Sequence, residues 1–478
     1  MNSLVFPVFS SRLLRTCGCY IWLKNYIRQA VLTDPDGKIY LAMPKDADWV
    51  RADMDYPNVH IIETSTLVGG QFQRWNIVRI PQEIKDLFSD FCGKYIVDAV
   101  VFVSPEHVPQ YVAELFSTVS NNSLVPITYS NVMFGLSDRN MNEPYRVLQS
   151  AGLQLCDGHA WVSEVSYKRS MEVVRRHVSP AIYNKIDSSC SKVRTMAIPL
   201  DYVKQFNVKE KPKDKWVVNY GYGFNSAYDY QAVFEIVDAL YSVGYPLRFI
   251  MNTSSKAQGK HGNDFTEVWK KRYEHHFDYT YGLPQEEFWK RASEAHAFLF
   301  LATDAEGSFS VIEQFMLGLV GVFKYSDWLR EFLYPGYPYV AKTNNEIATL
   351  LKYVCENYFT PEVQEVLQKQ TEHIRNLHDV PNLGKIHKEV MDLSEKRKSK
   401  FPPPKNMVSV VSKIPESQTR ITFDELCDFV QANIKFVIDL RDIQPNSRCK
   451  SVWRLAMHLA GWRDDPSTSD TTFIRGTV

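Results

Sequence analysis

Short apolar runs alternate along this chain with stretches whose apolar residues recur every three or four positions. Leu4–Phe9 is such a run and predicts a strand; the Ser10–Cys19 loop follows, then an amphipathic helix over Tyr20–Val31 and a second strand at Lys38–Met43. Val97–Val103 and Val125–Tyr129 predict further strands, with Ser130 and Asn131 just past the carboxyl end of the latter. The pattern restarts at Trp216–Tyr220, a strand followed by the Gly221–Tyr230 loop, a helix over Gln231–Val243 and a strand at Leu247–Met251. Its sharpest instance is Ala297–Leu301, a continuous apolar run that reads as a buried parallel strand. After it, Val311, Ile312, Phe315, Met316 and Leu319 predict a helix from about Ser310, which Gly318 weakens before the next strand at Val320–Phe323. Strand, Gly/Ser loop, helix, strand is an α/β grammar.

A length of 478 residues predicts two large domains and an appendage. The divisions expected are 1–202 and 203–393 for two Rossmann-like domains, with charged Val203–Lys215 as the connection. A late helical stretch, Asn345–His378, is long enough to return across to the first domain. A basic, Pro-rich linker follows at 394–419, beginning Ser394-Glu-Lys-Arg-Lys, then a small helical module at 420–478 with helices over Ile421–Ala432 and Ser451–Trp462. Residues 394–478 carry 14 Lys/Arg against 10 Asp/Glu, the excess lying in the linker. Over the whole chain acids and bases balance at 55 each, which argues against a strongly basic nucleic-acid binder but leaves room for a local basic face. Eight cysteines without a CxxC pair point to reduced thiols and a cytoplasmic protein. Arg12 and Arg15 interrupt the apolar start where a signal peptide needs its core, and no run suffices to span a membrane.

The chemistry concentrates in Thr303–Phe323. Loop amides and the helix dipole there face the carboxyl edge of a parallel sheet, where they can hold a pyrophosphate. Glu306 stands before the loop and Glu313 in the first helical turn. Such carboxylates suit ribose or sugar hydroxyls beside a diphosphate, as a nucleotide-sugar presents; a capping carboxylate beside a solvated one is the alternative.

Glu306-Gly-Ser-Phe-Ser-Val-Ile-Glu313 resembles the paired-glutamate signature of retaining glycosyltransferases of the two-Rossmann-domain, GT-B type. The family usually leaves seven residues between the glutamates; here there are six. The resemblance implies that Glu306 touches the transferred sugar as a catalytic residue. It further implies that Gly307, Ser308, Phe309 and Ser310 hold the diphosphate, Glu313 binds the ribose, and Tyr281, Gly282 and Leu283 meet the nucleobase. Gly221 and Gly223 would adjoin the donor; the Arg and Lys that the family places in that loop are missing, and Lys256 and Lys260 are the candidate substitutes. In the first domain, Gly18 would admit the donor or acceptor, Arg12 and Arg15 would meet phosphate, and Asn131 stands where the family often carries a His-Asp pair. Cys156–Glu164, the helix with Lys168 and Arg169, and Ala197–Asp201 follow the family's order, with His159 read as structural. The donor implied is a UDP-sugar, with no obligatory metal. Gly321–Trp328 is also similar to the DNA alpha-glucosyltransferases of T-even phages. Together with the basic helix and linker this makes a hydroxymethylated DNA pyrimidine the leading acceptor. A polysaccharide or small-molecule acceptor, and a non-catalytic scaffold on the same fold, stay open beside it.

Overall fold

A computed structural model of the chain describes residues 1–7, 18–64, 86, 97–109, 111–112, 126–132, 143–207, 210–222, 229–245, 247–253, 271–272, 276–303, 305, 307–400, 411–433, 457, 460–465 and 472–475. The first domain is a seven-stranded parallel sheet of β1 (Ser3–Phe6), β2 (Ile39–Pro44), β3 (Val59–Thr64), β4 (Ala99–Phe102), β5 (Ile127–Val132), β6 (Gly158–Trp161) and β7 (Cys190–Arg194), in the order β3-β2-β1-β4-β5-β6-β7. The second is a six-stranded parallel sheet of β8 (Trp216–Tyr220), β9 (Leu247–Thr253), β10 (Phe277–Tyr281), β11 (Ala297–Phe300), β12 (Val320–Lys324) and β13 (Val340–Ala341), ordered β10-β9-β8-β11-β12-β13. Strands such as β1, β4 and β11 are buried along their whole length because helices cover both faces, which is why they read as unbroken apolar runs. Chain direction across the sheet reverses between β1 and β4 in one domain and between β8 and β11 in the other. Those are the places where ligands bind in open α/β sheets.

Helix α1 (Gly18–Thr33) leaves the first switch point and buries Tyr20, Trp22, Leu23, Tyr26, Ile27 and Ala30 at helical spacing. Four further helices position the site: α2 (Glu164–His177) in the first domain, and α3 (Gln285–Ser293), α4 (Phe309–Met316) and the four-residue α5 (Leu329–Phe332) in the second. The chain then runs through α6 (Pro361–His378) into α7 (Pro381–Lys400).

The returning element is α7 rather than the predicted Asn345–His378. Its Leu383, Ile386 and Val390 pack into the first-domain core with Trp22, Tyr26 and Tyr129. Glu389 accepts hydrogen bonds from Tyr129 (3.1 Å) and Ser191 (2.9 Å), and Arg397 pairs with Asp157. The first residues of the expected linker are therefore helical, with Ser394 buried, because the lysines between these anchors face outward. Parts of the expected connection at Val203–Lys215 also pack against the second domain. Val203 is buried in a short helix, and Lys211 is buried with its ammonium donating to the carbonyls of Ser293 (2.8 Å) and Ala295 (2.5 Å). Beyond α7 the predicted helix of the small module is present as α8 (Phe423–Asn433). Beside it lies an antiparallel sheet of Arg420–Thr422, Thr472–Arg475 and Trp462–Asp464, whose strands are too short for alternation to announce them. Most of the predicted Ser451–Trp462 helix lies outside the described residues.

Candidate functional site

The two switch points face each other. A β-carbon placed on Gly18, at the start of α1, would lie 3.3 Å from the ring of Phe309, and Phe309 packs against the cores of both domains. Ile21, one turn further along α1, packs on the second-domain core. The Gly307–Ser310 segment thus sits in the seam between the domains, half-buried. Gly307 adopts φ +149°, and a β-carbon there would come within 2.5 Å of Met196 and 3.0 Å of Phe332, so no other residue fits without displacement. Ser308, the N-cap of α4, is extended, and its side chain does not cap the helix. Among the described residues the first-turn amides therefore have no side-chain acceptor, at the positive end of the helix. Ser310 instead turns its hydroxyl to the carbonyl of Gly221 (2.7 Å), binding the loops after β8 and β11 to each other.

Glu313 lies one turn below and is almost fully buried, 4% exposed. Its Oε1 accepts from the Gln285 amide at 2.8 Å. Burial pushes its pKa from the ordinary 4.5 up to about 7, against the opposing pull of Gln285, the nearby Trp289 indole and the positive charge of Lys24 on α1. The Trp289 N–H is close enough to favour the charged form yet makes no hydrogen bond of standard geometry. A buried carboxylate with a single amide donor has spare acceptor capacity. Gln285 opens α3 immediately after the Tyr281–Leu283 segment, so this bond also ties the expected nucleobase side to the signature helix. In that segment Tyr281 is 49% exposed, and Gly282, at φ +62°, turns the backbone while its N–H donates to Thr253 (3.0 Å).

The first domain closes over the loop through α2. Arg169 Nη1 donates to the Ala305 carbonyl at 3.4 Å. At the amino end of the same helix, the Glu331 carboxylate of α5 accepts from the backbone N–H of Glu164 (2.8 Å to each oxygen) and Val165 (3.2 Å). A side chain of one domain therefore caps a helix of the other. Burial raises the Glu331 pKa, and those two backbone bonds and Arg194 oppose the rise.

Ser130 and Asn131 are placed differently from expectation. Asn131 and Ser130 lie inside β5 rather than beyond it. Both are fully buried, and among the described residues neither amide atom of Asn131 nor the Ser130 hydroxyl finds a partner. The strand runs on to Val132 because Phe102 of β4 pairs with Ser130 and β6 continues the ladder to Val132. Lys168, the candidate acceptor contact on α2, is open to solvent at 71% exposure and pairs with Glu164 (3.5 Å) on its own helix. Glu306, Gly223, Lys256, Lys260, Arg12 and Arg15 lie outside the described residues. His159 is structural, as read: it is buried, bonded to the Ile186 carbonyl (2.7 Å) and to the Trp161 indole N–H (2.8 Å), and burial lowers its pKa to about 4. Among the described residues no group of three or more His, Cys, Asp or Glu is arranged to hold a metal, and no helix is long and apolar enough to cross a membrane. Gln285, Lys24 and Glu331 were missed: an amide after a helix-opening proline, a lysine on an amphipathic helix and a glutamate in a short turn carry no sequence signal of their own.

No protein-family model matches the sequence, and no curated protein does either. Solved structures match over most of the chain. HepE from Anabaena, crystallised in complex with UDP, shares 10% identity at a TM-score of 0.57, over 82% of this chain and 100% of that one. The sucrose-phosphate synthase of Thermosynechococcus elongatus shares 12% at 0.59, covering 82% and 98%. The lipopolysaccharide outer core galactosyltransferase WaaB shares 11% at 0.53, covering 83% and 100%. The fold is GT-B. In a GT-B frame the Gly307–Ser310 loop and Glu313 occupy the second domain's switch point and look across the seam at Gly18 of the first.

Proposed function

We propose that this protein is a nucleotide-sugar-dependent glycosyltransferase that moves a hexose or pentose from a UDP-sugar to an acceptor hydroxyl. One observation carries the reading: an uncapped helix start behind a glycine at φ +149°, with a buried carboxylate one turn below, all at the seam of two facing parallel-sheet domains. The likeness to HepE, solved with UDP and with UDP-glucose, supports the same donor class. The donor diphosphate lies against the amides of Gly307–Ser310, which stabilise the charge that grows on it as the glycosidic bond breaks. Glu313 accepts from the ribose hydroxyls, and the Tyr281–Leu283 backbone meets the base. Glu306 reaches the transferred sugar. Retention of configuration follows from the paired-glutamate resemblance. The arrangement needs no metal, since helix and loop amides supply the positive potential.

The acceptor is a hydroxyl compound entering from the first domain. The reading of hydroxymethylated DNA as that acceptor rests on the phage-like Gly321–Trp328 segment and on the exposed Lys168 and Arg176 of α2. Thermal shift and donor hydrolysis with a panel of nucleotide-sugars test the enzyme reading. A response to UDP-sugars is expected, and no response to any donor favours a scaffold instead. Nucleoside mass spectrometry of treated hydroxymethylated DNA tests the acceptor; an unchanged profile from an active enzyme removes DNA.

A further inference from the structure

Beneath the donor loops a line of buried side-chain amides crosses the second sheet from one side of the switch point to the other. At the end of β10 the Thr280 hydroxyl donates to Asn252 Oδ1. Asn252 of β9 donates through Nδ2 to Asn219 Oδ1 at 2.9 Å. Asn219 of β8 donates through its own Nδ2 to Gln314 Oε1 at 2.6 Å. Gln314 of α4 donates to the Tyr222 hydroxyl (2.8 Å) and to the Ser310 carbonyl (3.0 Å) and hydroxyl (3.1 Å). The Ser310 hydroxyl in turn donates a hydrogen bond to the Gly221 carbonyl at 2.7 Å. Asn219 and Gln314 are fully buried and Asn252 is 4% exposed.

Two features separate this line from an ordinary satisfied core. Strands β10, β9 and β8 are neighbours in the sheet, so the Thr280–Asn252 and Asn252–Asn219 links each span one inter-strand gap, and the Asn219–Gln314 link joins the sheet to α4 across 95 residues of sequence. Every link also donates in the same sense, from the Tyr281–Leu283 end towards the Gly307–Ser310 end. Head-to-tail bonds polarise one another, and inside a low-dielectric core a fully satisfied chain rigidifies what it connects. Burying amides here is costly compared with apolar side chains, so the line is expensive as mere filling. Its two ends are the two loops between which a nucleoside diphosphate would stretch.

We propose that Thr280, Asn252, Asn219 and Gln314 are positioning residues that fix the span between the base end and the diphosphate end of the donor site. The inference rests on the nucleotide-sugar reading above. A ligand that engages both ends feels the line, and one that engages only the base end does not.

The test is calorimetric titration of UDP and of uridine into the full chain and into Gln314→Met, Thr280→Val and their double variant. Gln314→Met keeps volume and removes the amide; Thr280→Val keeps shape and removes the hydroxyl. Each single variant is expected to weaken UDP about tenfold, the scale of one lost buried hydrogen bond. Uridine should change by less than about twofold, and the double variant should be no worse than about twofold beyond the weaker single, because both cut one line. Thr280→Ser, which keeps the donor, should bind like the unaltered chain, and this pair decides the matter if Gln314→Met does not fold. Unchanged UDP affinity in the single variants overturns the inference, as do losses that simply multiply in the double. An unaltered chain that binds neither UDP nor any other nucleotide overturns the functional reading, and the inference with it.

Discussion

Glu313→Gln should make the protein more stable at alkaline pH and worse at its task. The carboxylate is buried, its hydrogen-bonded partner is the Gln285 amide at 2.8 Å, and its pKa stands at about 7 against an ordinary 4.5. Because the folded value lies above the unfolded one, the native state holds a proton that the unfolded chain has released through this window. The group's contribution is fully present below about 4.5 and is lost as pH rises through about 7. Above that, the native state carries a buried charge whose cost approaches about 3 kcal/mol at 1.36 kcal/mol per pKa unit. Glutamine has the same shape and an oxygen for Gln285, without the charge. The difference in Tm, variant minus unaltered chain, should be near zero at pH 5 and rise to several degrees by pH 8. UDP binding should fall by more than tenfold, as for a hydrogen bond to a charged acceptor. Differential scanning calorimetry across pH and titration with UDP give both readouts. A Tm difference that stays flat with pH, or a variant that is less stable at pH 8, refutes the account of Glu313 as a strained, ligand-ready carboxylate.

Gly307→Ala forces a β-carbon to within 2.5 Å of Met196 at a φ of +149°. It should cost about 1–3 kcal/mol of stability and disrupt nucleotide binding, read by thermal melts and UDP titration. Glu331→Ala removes the acceptor for the Glu164 and Val165 amides across the domain seam. A loss of about 1–3 kcal/mol in chemical denaturation is expected, with an expanded radius by small-angle scattering as the domains part. Lys211→Met tests the buried ammonium, whose pKa burial lowers from 10.5 to about 7. The folded value lies below the unfolded one, so the native state of the unaltered chain gains stability as pH rises from about 7 towards 10. The variant lacks that slope, and its Tm relative to the unaltered chain should fall steadily between pH 6.5 and 9.5.

The order of strands and helices was legible because sheets buried on both faces demand unbroken apolar runs, as in Ala297–Phe300. The helix starting at Phe309 was legible for a related reason, since its apolar residues recur at the spacing that one buried face requires. Boundaries were less legible. Asn131 reads as a loop residue, yet the pairing of β5 with its neighbours carries the strand past it. Lys396, Arg397 and Lys398 read as a solvated linker, yet Leu383, Ile386 and Val390 earlier on the same helix bind it to the first domain.

By itself, the sequence determined the α/β grammar, the two sheets and the Gly-Ser loop between Glu306 and Glu313, because local periodicity and glycine placement are properties of neighbouring residues. Only the tertiary structure decided that Phe309 meets Gly18, that Glu313 is buried, and that Glu331 caps a helix 167 residues away. It alone also aligned Thr280, Asn252, Asn219 and Gln314 into one line. Burial and hydrogen-bond partnership depend on which distant segments the chain brings together, and no single stretch of sequence carries that information.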